Sequence, residues 1–224
     1  MKKIHGLILC FVALLLTAPL LRAQDLSKYR HFNLGMSLTS VLGHTGQKME
    51  DVKLVHSRPE LIQEVNWWPP NLPGTSFRSD TVEQILLSFY NGELYKISVT
   101  YDQKSTEGLT ASDMVSSISA KYGPPTNVVQ QIDAPNSERY NVEQKPVASW
   151  EDAQYSFKLV RSSFTDRFGL VICSKQANAE ADLAIADAVK LEKQEGPKRE
   201  AELQKKQTDD LAVMRQKNQK SFRP

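Results

Sequence analysis

Three histidines, one cysteine and a few acid pairs are the side chains beyond the first 23 residues whose types could do chemistry. His31, His44 and His56 are the histidines. None stands in HExxH or another spacing that presents two or three ligands to one metal ion. His44 and His56 with Asp51 form the one constellation that could be assembled into a site, and only tertiary structure can assemble it. Cys173, in "FGLVICSK", has no motif-linked histidine to act as its base. Glu151-Asp152 and Asp209-Asp210 read as turn and solvated-helix residues. GxSxG, P-loop and dinucleotide fingerprints are missing from the sequence. The chain therefore reads as a non-enzyme without catalytic residues, metal or cofactor. A hydrolase with a non-local site is the alternative that spacing cannot address.

Binding chemistry is easier to place. "EVNWWPPNLPG", Glu64 to Gly74, runs two tryptophans into two prolines. Neighbouring strand residues face opposite ways. "VNWW" and "VASW" (Val147–Trp150) share a Val-to-Trp spacing of three, which matches Trp68 to Trp150 and assigns both to the core. Trp67 then points outward, beside a proline-stiffened loop that loses little entropy on binding. Trp67, Pro69, Pro70 and Leu72 are the candidate partner-binding residues. A partner protein is the first reading; a cell-wall polymer or carbohydrate stacked on Trp67 is the second.

The elements that hold these residues begin after a leader. Lys2 and Lys3 precede an apolar run from Leu7 to Leu16, too short for the roughly 20 residues of a spanning helix. Residues 1–23 read as a secretory signal peptide. Cys10 lies inside the apolar run, so no lipidation motif is present. The leader holds three basic residues (Lys2, Lys3, Arg22). The 28 basic residues less these three stand against 26 acidic ones, a net charge near −1. That excludes a basic field for nucleic acid. The expected location is periplasmic or secreted, with no spanning segment once the leader is removed. Cys173 is then unpaired and reads as a small strand residue.

The middle of the chain carries an internal echo. "LGMSLTSVLGHTG" (Leu34–Gly46) resembles "EGLTASDMVSSISAKYGPP" (Glu107–Pro125), with Gly35 matching Gly108, Met36 Leu109, Ser37 Thr110 and Val41 Met114. Ser37 and Thr110 predict helix N-caps, and Thr110 with Asp113 a capping box. Met114, Val115, Ile118 and Tyr122 form a buried helical face, and Gly123 with its prolines stops the helix. Strand pairs follow. In the first, Tyr95, Ile97, Val99 and Tyr101 alternate on one face. A three-residue loop, Tyr90-Asn91-Gly92, is expected to pair Phe89 with Glu93, Leu87 with Tyr95 and Ile85 with Ile97. In the second, Tyr155, Phe157 and Leu159 share a face with Phe168, Leu170 and Ile172, and Cys173 points the other way.

From about Ala177 the composition changes. Residues 175–224 hold 11 Lys/Arg and 9 Asp/Glu, with a narrow stripe of Ala177, Ala181, Ala184, Ile185, Ala188 and Leu191. A charged helix is expected, broken at Gly196-Pro197. The second piece has Leu203, Leu211 and Met214 as a sparse stripe, a solvated arm or a coiled-coil partner. The predicted organisation is a leader (1–23), a first helix–hairpin repeat (24–107), a second (108–176) and a charged helical tail (177–224). The fold class is α+β.

A Gly-apolar-Ser/Thr start, a short helix, a glycine–proline stop and antiparallel strands resemble the SmpA/OmlA (BamE) family, whose helix-plus-sheet module is shared with the β-lactamase inhibitor protein. "GMSLTSVLG" and "GLTASDMVSSISAKYGPP" carry the likeness, once each, as a tandem pair. The resemblance implies a non-enzymatic role binding other envelope proteins. The missing lipidation Cys and the charged tail depart from that family.

Overall fold

The computed structural model describes residues 25–70, 80–129 and 144–223. The leader and Leu72 therefore lie outside the described residues. Among the described residues the chain is α+β: an eight-stranded antiparallel sheet, a two-stranded sheet and three helices. A small hairpin of β1 (Lys28–Tyr29) and β2 (Phe32–Asn33) precedes α1 (Leu38–Thr45). Strands β3 (Lys53–His56), β4 (Ile62–Trp67), β5 (Val82–Tyr90) and β6 (Glu93–Tyr101) follow as a meander. Next come α2 (Ala111–Tyr122) and a second meander, β7 (Asn127–Val128), β8 (Gln144–Glu151), β9 (Tyr155–Ser162) and β10 (Phe168–Ser174). Helix α3 (Lys175–Ser221) ends the chain's regular structure. The sheet order is β3-β4-β5-β6-β10-β9-β8-β7. Each half thus contributes four strands, where the sequence pattern suggested a hairpin, and the last strand of each meets the other at the centre.

The helix starts follow from local chemistry. Gly35 and Gly108 take positive φ of 87° and 78°, turning the chain into each cap. Ser37 Oγ accepts from Ser40 N at 3.3 Å. Thr110 Oγ1 accepts from Asp113 N at 3.2 Å, while Thr110 N donates to Asp113 Oδ2 at 2.8 Å, completing the capping box. Met114, Ile118 and Tyr122 are buried as the spacing predicts, with Val115 packed beside them. Both helices and the β1–β2 hairpin contribute to one continuous core spanning both halves of the sheet, from Val41 and Phe32 to Leu159 and Ile172.

Two registers separate expectation from outcome. The β9–β10 hairpin pairs Leu170 with Leu159 and Ile172 with Phe157, all buried, and Cys173 lies opposite Ser156 on the other face. The β5–β6 hairpin instead turns on two residues. Asn91 and Gly92 take φ of 50° and 83°, the type I′ geometry that Asn-Gly favours, and Tyr90 pairs with Glu93. A bulge then shifts the register, so that Phe89 pairs with Leu94 and Ser88 with Lys96. Leu87 meets Ile97 and Ile85 meets Val99. The expected pairing of Phe89 with Glu93 is displaced by the two-residue turn, and those of Leu87 with Tyr95 and Ile85 with Ile97 by the turn and the bulge together. Tyr95 is the residue it turns over: it packs with Ile62 and Ala181, on the opposite side from Ile97.

Helix α3 covers that opposite side. Ser174 caps it, and Ala181, Ala184 and Ala188 are its buried residues. Small side chains let the helix axis approach Tyr95, Tyr90 and Ile62 closely. The predicted break at Gly196-Pro197 does not occur; 47 residues, about 70 Å, run as one helix through Pro197. Proline removes one N–H donor, but the carbonyl it leaves without a partner is that of Lys193, an exposed residue, so water can satisfy it.

Candidate functional site

The tryptophan pair is the first place to look. Val65 is fully buried and pairs with Leu87, and Trp67, two residues on, lies on the same face opposite Ile85. Trp67 is half-buried, meets Phe32 edge-on with ring centroids 5.5 Å apart, and packs against the main core. Trp68 is the outward residue, 55% exposed. The sequence-based faces are therefore reversed. A bulge in β8 between Pro146 and Ala148 makes Val147 an extra residue, so the Val-to-Trp spacing in "VASW" spans one more position than the pairing does. Ala148 and Trp150, two apart, are the buried pair there. Trp150 Nε1 donates to Gly123 O at 2.8 Å, and its ring meets Phe157 edge-on. Of the other candidates, Pro69 is half-buried and Pro70 exposed.

Two further large apolar side chains are exposed toward the β3 edge of the sheet. Gln47 Nε2 donates to Asn66 O at 2.6 Å, bringing the Met49–Asp51 turn alongside the end of β4. Met49 is 59% exposed, and Leu54 on the edge strand β3 is 57% exposed. Large apolar groups left to water mark an interaction surface more often than a catalytic one.

The possible chemical groups lie apart. His44 sits on α1, its Nδ1 2.8 Å from Ser40 O, while His56 is on β3 and Asp51 Oδ2 accepts from Lys48 N at 2.9 Å. Among the described residues no group of three or more His, Cys, Asp or Glu is placed to hold a metal ion. Burial pushes the Cys173 thiol above its ordinary pKa, with Lys158 and Lys96 opposing, which favours the unreactive protonated form.

A cleft of about 890 Å³ separates the 102–109 segment from the β9–β10 turn. Its charges engage one another. Arg161 Nε lies 2.6 Å from Asp166 Oδ1, Arg167 pairs with Glu83, and the Arg161 guanidinium lies over the Phe168 ring at 5.1 Å. Asp102 Oδ2 accepts from Ser105 N and Oγ, both at 3.0 Å. The lining contains neither His nor Cys, and its serine hydroxyl, Ser105, is tied to Asp102 within the 102–109 segment.

No sequence signal marked the Met49–Leu54 side of the rim, because isolated exposed apolar residues leave no periodic trace. Among the described residues no helix is long and apolar enough to cross a membrane. Comparison with protein-family models, with curated proteins and with solved structures found no match to this chain.

Proposed function

We propose that this chain is an exported, non-catalytic interaction protein of the bacterial envelope, which binds another protein through the apolar rim around Trp68. The observation that carries the reading is Trp68, more than half exposed at the end of a strand whose preceding residue is anchored in the core. Such an aromatic is positioned rigidly by Trp67 and Pro69, and an anchor that is already fixed gives up little freedom on docking. Export rests on the leader-like residues 1–23.

Duplication belongs to the same proposal. Across the first half Val65 pairs with Leu87 and Leu87 with Ile97; across the second Ala148 pairs with Leu159 and Leu159 with Leu170. Trp67, Ile85 and Val99 form the next row, matched by Trp150, Phe157 and Ile172. At the seam Val99 pairs with Leu170 and Ile97 with Ile172, each the other's counterpart under this matching. These registers support a unit used twice; the kinship to the SmpA/OmlA module is proposed from the helix-start residues at Gly35–Ser37 and Gly108–Thr110.

A photo-crosslinking residue at position 49, in the turn held beside the end of β4, tests the binding reading in the native envelope. A discrete protein adduct that Trp68→Ala diminishes is expected. Adducts that vanish on cell-wall digestion make the rim a saccharide binder, and the absence of any adduct sensitive to Trp68 refutes the rim altogether.

A further inference from the structure

The outer turns of α3 differ from the rest of the helix in two independent ways. From Lys198 to Asp210 the charges balance, with Lys198, Arg199, Lys205 and Lys206 against Glu200, Glu202, Asp209 and Asp210. From Leu211 to Arg223 there are four cations, Arg215, Lys217, Lys220 and Arg223, and no acid. Over the same short stretch the helix and its C-cap expose large apolar side chains: Leu211 is 65% exposed, Val213 67%, Met214 57% and the capping Phe222 77%. Between Lys198 and Asp210 Leu203 is the single large apolar residue.

Spacing organises this composition. Leu211, Met214 and the C-cap Phe222 stand at i, i+3 and i+11, along one side of the helical path, while Val213 at i+2 lies on the other side. Arg215 and Lys217 flank that side. Ser221 is 25 residues beyond Gly196, about 37 Å along the helix axis, so the patch projects well past the last buried residue of α3, Ala188. Cations close to a helix C-terminus complement its dipole, and that accounts for Lys220. It does not account for Arg215 a turn and a half earlier, nor for four large apolar groups held in water.

A cationic, apolar-striped helix end matches a surface that is anionic outside and hydrocarbon just beneath. We infer that the outer turns of α3 dock the protein on an anionic lipid bilayer, with Leu211, Met214 and Phe222 entering the headgroup boundary and the flanking cations meeting lipid phosphates. Long basic side chains suit this placement, since their stems lie along the apolar layer while their heads stay among the phosphates. The contact is peripheral and reversible, because three apolar groups and four charges are far from a spanning segment. It does not depend on the Trp68 rim, which lies on the sheet.

Flotation of the full chain with vesicles tests this. Vesicles of phosphatidylcholine with about one third phosphatidylglycerol should carry the protein at about 0.1 M salt, release it at about 1 M, and exceed pure phosphatidylcholine vesicles in affinity. Each cation is worth about fivefold near such a surface, so R215Q/K217Q/K220Q should weaken binding about a hundredfold. L211S/M214S/F222S should also weaken it at least tenfold, and both variants should keep the parent melting temperature because all six side chains are exposed. Equal binding to both vesicle types, or anionic-vesicle binding unchanged in either variant, overturns the inference. So does a soluble polyglutamate that binds as tightly as the vesicles and keeps its affinity for the serine variant, since that patch would read acidic chains.

Discussion

Replacing each member of the tryptophan pair by alanine separates two roles that the sequence alone assigned the wrong way round. Trp67 packs against Phe32 and the main core but retains some exposure. A fully buried Trp→Ala change costs about 3–5 kcal/mol, and an edge-on aromatic pair adds about 0.5–1.5 kcal/mol beyond area. Scaled for partial burial, Trp67→Ala should cost about 2–3 kcal/mol. For a sheet domain of this size that is a fall of about 5–10 °C in Tm. Trp68→Ala, at 55% exposed, should move stability by less than about 0.5 kcal/mol. Urea unfolding followed by far-UV circular dichroism measures the two variants on one signal, independent of which indole has been removed. A Phe32→Leu, Trp67→Ala double-mutant cycle then isolates the ring pair. Equal losses in the two alanine variants, or a larger loss at position 68, would refute the assignment of Trp67 to the core and of Trp68 to the surface.

Further outcomes follow from the sheet and its ion pairs. Gly169→Ala should destabilise by about 1–3 kcal/mol, because its Cβ would stand 2.7 Å from the backbone oxygen of Val99 across the central seam; thermal melting checks it. Arg30 donates to both oxygens of Asp80 at 2.6 Å, and these bonds hold the Asp80 carboxyl below its usual range. The pair's stability is therefore fully present above the unfolded carboxylate value near 4 and is lost as pH falls through the lower folded value. Asp80→Asn should flatten the loss of urea resistance between neutral pH and about pH 3. Glu151, held low by Lys175 at 3.0 Å where β10 passes into α3, should behave in the same sense, so Lys175→Met should also reduce the acid sensitivity of the parent chain.

What the sequence disclosed depended on whether pairing ran unbroken. The β9–β10 hairpin was legible because its period of two continues from Tyr155 to Leu159 and from Phe168 to Ile172 without a bulge. Tyr95 and Val147 are single inserted residues, and each reverses the face of what a count predicts. The first misplaced Tyr95 and the second exchanged Trp67 for Trp68. Strands β3 and β7, of four and two residues, are too short for any periodicity to register. The caps at Ser37 and Thr110 were readable because capping is local chemistry. The continuity of α3 through Pro197 was not, because the cost of a proline depends on whether solvent reaches the carbonyl it strands. The Met49–Trp68 rim needed the fold: it joins residues that are neighbours through a turn and a side-chain bond to Asn66, not through spacing.

The central seam imposes an order on assembly. Strand β6 completes the first meander, yet its second edge must wait for β10, whose first residue follows Tyr101 by 67 positions. Until then Ile97 and Val99 head an unfinished ladder in what will become the middle of the sheet, while the finished outer edges are the stubby strands β3 and β7. A chain interrupted between the halves would carry this adhesive border permanently, and the nearest substitute for the missing strand would be the same strand of a sibling molecule.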